Sequence, residues 1–483
     1  MTYPVITLPG FTREKFAISR SLIAVPLIAL LIFSYTSFAA AQSSAPIATP
    51  STFATIVNFT GTNGSQPFTE NLVQGKDGDV YGTTTYGGAS SDGTIFKVSP
   101  SGKLTTIYSF SGTDGANPYA GLVLGVDGNF YGTTYEGGTN DLGTVFKITS
   151  AGKLTTLYNF DNTDGGLPTC ALVQAADKNF YGTTSYSMPT VYGSVFKISS
   201  SGTLTTLAFF NDTNGYDPLA GLDLGSDGNF YGTTATGGTS DLGTVFQITP
   251  SGTLTSLYSF DNTHGWEPES QLIQGTDGNF YGTTLRGGAN GDGEVFKITS
   301  SGTLTVLHSF DVTDGYEPND GLVQATNGNF YGTTTGGGTG ELGTVFEMTS
   351  TGKLETLHSF TGLGDDGSQP FGGLLQHTSG ALYGVTASGG TGRLGTVFGL
   401  STGAAPFVKL LPASGKVGAG ITILGTNLTG ITSVTFNGTS AVFTAGTSSY
   451  LTATVPTGAT SGVVEVVTSS GTLQSNVKFR VTK

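Results

Sequence analysis

Two acidic pairs come closest to chemistry in this chain: Glu267 with Glu269, and Glu317 with Asp320, each spaced around a proline. Glu136 and Asp217 stand in comparable short stretches. Paired carboxylates hydrolyse glycosides when one is kept protonated as acid and the other is ionised, at about 5–9 Å separation. The plain alternative is a set of solvated loop acids, because Asp and Glu are usually exposed. Aromatic residues recur beside these acids (Tyr119, Tyr216, Trp266 and Tyr316), and Arg286 follows in a neighbouring stretch. A stacking face with a polar rim suits a sugar ring and equally a protein surface. The candidate ligand-binding set is therefore Tyr119, Glu136, Tyr216, Asp217, Trp266, Glu267, Arg286, Tyr316 and Glu317. The partner expected for it is a polysaccharide or a cell-surface protein, and no residue is given a catalytic role.

Other chemistries fit the residues less well. Asp161-Asn162-Thr163-Asp164-Gly165 and Asp311-Val312-Thr313-Asp314-Gly315 suggest calcium loops, but their acids sit at i and i+3 rather than at alternate positions. Related stretches, such as Asn211-Asp212-Thr213-Asn214-Gly215, lose acids freely, so Asx and type I turns explain them. Weak calcium binding is the one cofactor alternative to none. Beyond the N-terminal segment the arginines are Arg286, Arg393 and Arg480, which excludes a three-arginine carboxylate clamp within the repeats. His264, His308, His358 and His377 do not cluster. Cys170 is the single cysteine, so no intramolecular disulfide forms, and a buried, inert thiol is expected.

The elements that position these residues are repeats. Gly128-Asn129-Phe130-Tyr131-Gly132-Thr133-Thr134 recurs around Tyr81, Tyr131, Tyr181, Tyr231, Tyr281, Tyr331 and Tyr383, with 50 residues between the first six tyrosines and 52 in the last step. One copy reads as four short strands: Leu122-Val123-Leu124, Phe130 to Thr134, Thr144 to Ile148, and Leu154 to Phe160. Turn signals separate them and no helical period intervenes. Four strands per repeat of about 40–50 residues predict a β-propeller blade. The last copy lacks a fourth strand, and Phe53 to Phe59 supplies it at the start, so residues 53–400 predict a seven-bladed ring closed by an N-terminal strand. The first-to-second and third-to-fourth turns are tight and nearly invariant. The other two connections are longer, carry the variable residues, and hold the candidate set.

The Phe-Tyr-Gly-Thr-Thr…Gly-Gly…Gly-Thr-Val-Phe-Lys pattern resembles the Gloeo/Verruco (GloVer) tandem repeats of exported bacterial proteins of choice-of-anchor type. The resemblance implies export and surface display and no particular activity. Residues 406–483 change character, with Ile421-Thr422-Ile423-Leu424-Gly425-Thr426-Asn427-Leu428 and Val434-Thr435-Phe436-Asn437-Gly438 among short alternating strands. Their order resembles the IPT/TIG immunoglobulin-like domains, which implies a spacer or interaction module. No sorting motif follows them, unlike the anchored members of the repeat family.

Residues 1–41 run from Arg13, Lys15 and Arg20 through the apolar stretch Leu22 to Phe33 to Ala39-Ala40-Ala41. That order predicts a cleaved signal peptide, with a retained anchor as the alternative and the only membrane contact. Residues 42–52 form a Ser/Ala/Pro/Thr linker. Net charge is −14 with no basic cluster, which disfavours nucleic-acid binding. The expectation is an all-β, secreted or cell-surface protein acting as a non-enzymatic binding or adhesion module. The alternatives are a polysaccharide-active hydrolase or lyase using loop carboxylates, and a structural surface-layer component.

Overall fold

The computed structural model describes residues 52–68, 71–186 and 192–482. The signal-peptide expectation, most of the linker and the divergent Ser187-Met188-Pro189 stretch lie outside the described residues.

Among the described residues there is no helix, and residues 52–401 form seven four-stranded antiparallel sheets. In the second sheet the strands are Val123–Leu124, Phe130–Thr134, Thr144–Ile148 and Leu154–Asn159. Phe130 faces Ile148, Gly132 faces Phe146 and Thr134 faces Thr144. The same register recurs fifty residues on, where Phe180 faces Ile198. The sheet built from Leu375–Gln376, Leu382–Thr386 and Thr396–Ser401 takes Thr52–Asn58 as its outer strand.

The Phe-Tyr-Gly-Thr-Thr strand is buried throughout because each residue meets a fixed neighbour. Tyr131 stacks on Phe180 of the next sheet at 3.9 Å, and Tyr231 stacks on Phe280 at 3.9 Å. In the first five sheets the tyrosine hydroxyl emerges at a turn and donates to an aspartate, as Tyr131 does to Asp127 at 2.8 Å, and in the sixth Tyr331 donates to Glu347 at 2.8 Å. Burying both ring and hydroxyl is favourable only because the hydroxyl is paired. Gly132 makes room for Phe146, whose Cζ would lie 2.7 Å from an added Cβ. Glutamines clamp neighbouring sheets from the inner strands. Gln174 Oε1 accepts from Val126 N (2.9 Å), Gln274 from Ser226 N (2.8 Å), and Gln74 from Thr378 N (3.0 Å). The last of these joins the sheet of Leu375–Gln376 to the first sheet.

The short inner strands of all seven sheets line one cavity of about 890 Å³. Residues 409–482 form two further four-stranded sheets around a separate core that includes Val408, Ile423, Phe436, Leu451, Val466 and Phe479. This part binds the turns between first and second strands: Ser449 Oγ donates to Lys76 O (2.6 Å), Arg480 Nη1 donates to Ser226 O (2.8 Å), and Thr426 and Thr378 share a hydroxyl bond (2.8 Å). Lys409, Leu411, Leu424 and Val477 line the cavity from that side. The longer connections are therefore left free on the opposite side. There Asn71 Nδ2 donates to Gln271 Oε1 at 2.9 Å, a bond between the first and fifth sheets.

Candidate functional site

The backbone of the long loops is as repetitive as the strands. The connection entering each sheet meets that sheet's second-to-third connection through a backbone bridge: Ala116 with Glu136, Tyr216 with Thr236, Trp266 with Arg286, Tyr316 with Gly336. The next residue then adopts a left-handed conformation although a proline follows it. Gln66, Asn117, Leu167, Asp217, Glu267, Glu317 and Gln369 all have φ between 51° and 55°. That conformation is unfavourable for a residue with a Cβ. It is held because both backbone groups are paired: Glu267 N donates to Leu242 O (3.2 Å) and Glu267 O accepts from Leu285 N (2.9 Å). The following proline packs on a glycine of the preceding sheet, where a Cβ on Gly243 would lie 2.6 Å from Pro268. Three candidate acids, Asp217, Glu267 and Glu317, stand at this strained corner.

The structure brings most of the fourth- to sixth-sheet candidates together. Arg286 Nε binds Glu267 Oε2 at 3.2 Å and its Nη2 binds Glu317 Oε1 at 3.4 Å. The same guanidinium lies 5.9 Å from the Trp266 ring centroid. Glu269 is half-buried beside them, and Asn319 Nδ2 donates to its Oε2 at 3.4 Å. Burial, reinforced by the negative charge of Glu267, pushes the Glu269 carboxyl up to about 7, against a smaller opposing effect of Arg286. Asp217 adds to that rise, and its own carboxyl is also raised by burial. Tyr216 donates to Asp241 Oδ1 at 3.0 Å. The Tyr316 ring lies on Gly336, where an added Cβ would fall 2.1 Å from Cζ. One protonatable carboxyl thus sits beside arginine-bound carboxylates, with an indole and two phenols in the same loops.

Tyr119 and Glu136 form a different cluster. The Tyr119 hydroxyl meets that of Tyr86 at 3.3 Å, and its ring packs edge-on against Tyr135 at 5.2 Å. Phe68 lies 6.1 Å away between Tyr119 and Phe371. Glu136 is exposed, and partial burial with Asp141 nearby raises its carboxyl. Asp320, which the spacing put beside Glu317 as a loop acid, is buried, whereas Glu317 is bound by Arg286. Asp320 is 5% exposed, accepts from Gly321 N at 2.5 Å, and is held by burial well above the usual carboxylate range.

The sequence reading passed over several polar groups. Asp223 replaces the Val, Ile or Leu of the other inner strands, lines the central cavity, and is pushed up by burial to about 6. Asn71 and Gln271 cross that cavity, and Asn319 reaches Glu269. The one available signal was a polar or charged residue where other copies carry an apolar or small one. In the turn loops, Asp161 and Asp311 accept from Thr163 and Thr313, as Asx turns do. Among the described residues no group of three His, Cys, Asp or Glu side chains could hold a metal.

No curated protein matches the chain. Among solved structures, a fungal alcohol oxidase described in complex with copper aligns with TM-score 0.49 and 14% identity, over 89% of this chain and 99% of that one. A Pseudomonas aeruginosa periplasmic gluconolactonase aligns with TM-score 0.43 and 15% identity, over 68% and 97%. A Xanthomonas campestris gluconolactonase aligns with TM-score 0.39 and 10% identity, over 73% and 89%. The expectation of a non-enzymatic adhesion module is corrected here. The loop face holds an acid of raised pKa beside arginine-bound carboxylates, an arrangement that adhesion does not require. The Gloeobacter/Verrucomicrobia repeat model matches residues 46–223, 171–398 and 217–450, and the chain belongs to that repeat family.

Proposed function

We propose that the long-loop face is the active site of a carbohydrate-processing hydrolase, with Glu269 as general acid. Under this reading the seven sheets are the blades of a propeller closed by Thr52–Asn58, and residues 406–483 are an IPT/TIG-like sandwich that seals the far end of the cavity. The observation that carries it is the Glu269 environment. Desolvation and Glu267 raise its carboxyl to about 7, so near neutral pH a large fraction still has a proton to give to a leaving oxygen. Arg286 holds Glu267 and Glu317 in place, 3.2 and 3.4 Å away, as the candidate base or nucleophile. Trp266, Tyr216 and Tyr316 offer faces on which a sugar ring can stack.

The test is a hydrolysis screen over a panel of polysaccharides, followed by Glu269→Gln on any substrate found. Loss of the acid should lower kcat by roughly 10²–10⁴-fold while the fold is kept. The wild-type rate should also fall on the alkaline side with an apparent pKa near the value of about 7. An unchanged rate in Glu269→Gln, or no hydrolysis across the panel, counts against the reading.

Residues 1–41 are proposed as a signal peptide that exports the protein to the cell surface or medium, on the basis of the apolar stretch between Arg20 and Ala39. N-terminal sequencing of the mature protein from its host checks this. A first residue near Gln42 is expected, and a retained Met1 would contradict it.

A further inference from the structure

The fifth sheet departs from the others at one buried position. In the other six, the residue that opens the third strand is Thr or Ser, and its hydroxyl bonds a threonine on the second strand. Thr84 meets Thr94 at 2.8 Å, Thr134 meets Thr144 at 2.9 Å, and Thr334 meets Thr344 at 2.8 Å. In the fifth sheet Glu294 stands opposite Thr284. Glu294 is 2% exposed, and one carboxylate oxygen accepts from Ser309 Oγ at 2.9 Å. Its other oxygen has no partner, and neither has the buried Thr284 hydroxyl. Two orphaned buried oxygens in one sheet are costly and call for an account.

The substitution also alters the wall in front of it. Elsewhere the end of the outer strand accepts from the loop above: Ser259 Oγ from Thr239 N at 2.7 Å, and Asn159 Oδ1 from Thr139 N at 3.0 Å. In the fifth sheet Ser309 is turned to Glu294 instead. A cavity of about 520 Å³ lies here, with Glu294 and Ser309 in its lining, Leu304 and Val306 as apolar wall, Gly288 beside the carboxylate, and His264 at the rim. His264 is already paired with Asp261 at 2.9 Å. Among the described residues no lysine or arginine lines the cavity.

We propose that this cavity is a subsite for a primary ammonium group presented by an amino sugar. An ammonium supplies the positive charge missing beside the Glu294 carboxyl group, and its N–H groups can donate to the carboxylate from the cavity that Glu294 lines. Its carbon frame is covered by Leu304 and Val306. A calcium ion would need six or more oxygens, which one carboxylate cannot anchor. The choice of a sugar as the source rests on the hydrolase reading above. His264 is two residues from Trp266 and Gly288 two from Arg286, so the two sites are built on the same pair of loops.

The experiment is calorimetric titration of the full chain with glucosamine, N-acetylglucosamine, Nα-acetyl-lysine amide and ammonium chloride, repeated on Glu294→Thr. That variant restores the pattern of the other sheets, and a thermal midpoint at or above wild type shows that it is folded. Glucosamine should bind the wild type, N-acetylglucosamine should bind at least 10-fold more weakly (roughly 1.4 kcal/mol), and Glu294→Thr should lose glucosamine by a similar factor. Equal binding of the acetylated sugar, equal binding by Glu294→Thr, or tighter binding of the lysine amide or of ammonium chloride overturns the proposal. Binding is read without turnover, so failure of the hydrolytic reading leaves this result interpretable.

Discussion

The loops entering the second and fifth sheets share one backbone and differ in chemistry. Both carry the bridge, Ala116 to Glu136 and Trp266 to Arg286, and both place the next residue in the left-handed region, Asn117 at 53° and Glu267 at 55°. In the second, the bridge holds an alanine opposite an exposed glutamate, and the neighbouring aromatic cluster is largely satisfied within itself. In the fifth, the same positions hold an indole, a guanidinium and two glutamates, and the result is a linked charge network. The scaffold does not decide which loop is reactive. It fixes a corner, and the side chains substituted there decide the chemistry.

That comparison predicts that damage to the scaffold costs the same wherever it is made. Tyr131→Ala and Tyr231→Ala each remove a fully buried ring stacked at 3.9 Å on the next sheet. Each should destabilise by roughly 3–5 kcal/mol, and the two should agree to about 1 kcal/mol in denaturant unfolding. A large difference would show that the sheets are not energetically equivalent despite their common register.

Asp320 tests the opposite case, a local substitution that the scaffold tolerates poorly. Other sheets place Ala120, Ala220 or Ser270 there, each buried. Burial raises the Asp320 carboxyl above its ordinary 3.8. A raised carboxyl contributes its full stability as the neutral acid below the unfolded pKa, and loses it as pH rises toward the folded pKa. Asp320→Ala should therefore match the wild type in acid and gain on it as pH rises above that range, by about 1.4 kcal/mol per pH unit at most. Thermal midpoints of both proteins across pH give the curve. A constant difference would mean that the cost is packing rather than charge.

The fold was legible because its signal is written seven times. Tyr, Phe and Gly at fixed spacing specify one packing environment, and a strand that alternates with turns has few other ways to bury its rings. The site was half legible. Trp266, Glu267, Arg286 and Glu317 stood out because they vary where their neighbours repeat, and the structure brings them into contact. Asp320 misled, because a spacing of three in a loop does not reveal that the chain turns inward at Pro318. Glu294 was passed over because a single substitution inside a strand looks like drift until its buried partner is known.

The sequence by itself determined the repeat, the strand order within it and the face that carries variation, since these follow from local periodicity and turn chemistry. Only the tertiary structure decided which acids meet. Arg286 joins Glu267 and Glu317 across a gap of fifty residues, and burial with the charge of Glu267 raises the Glu269 carboxyl. Burial and through-space charge are properties of the packed sheets, and no residue carries them in its own identity.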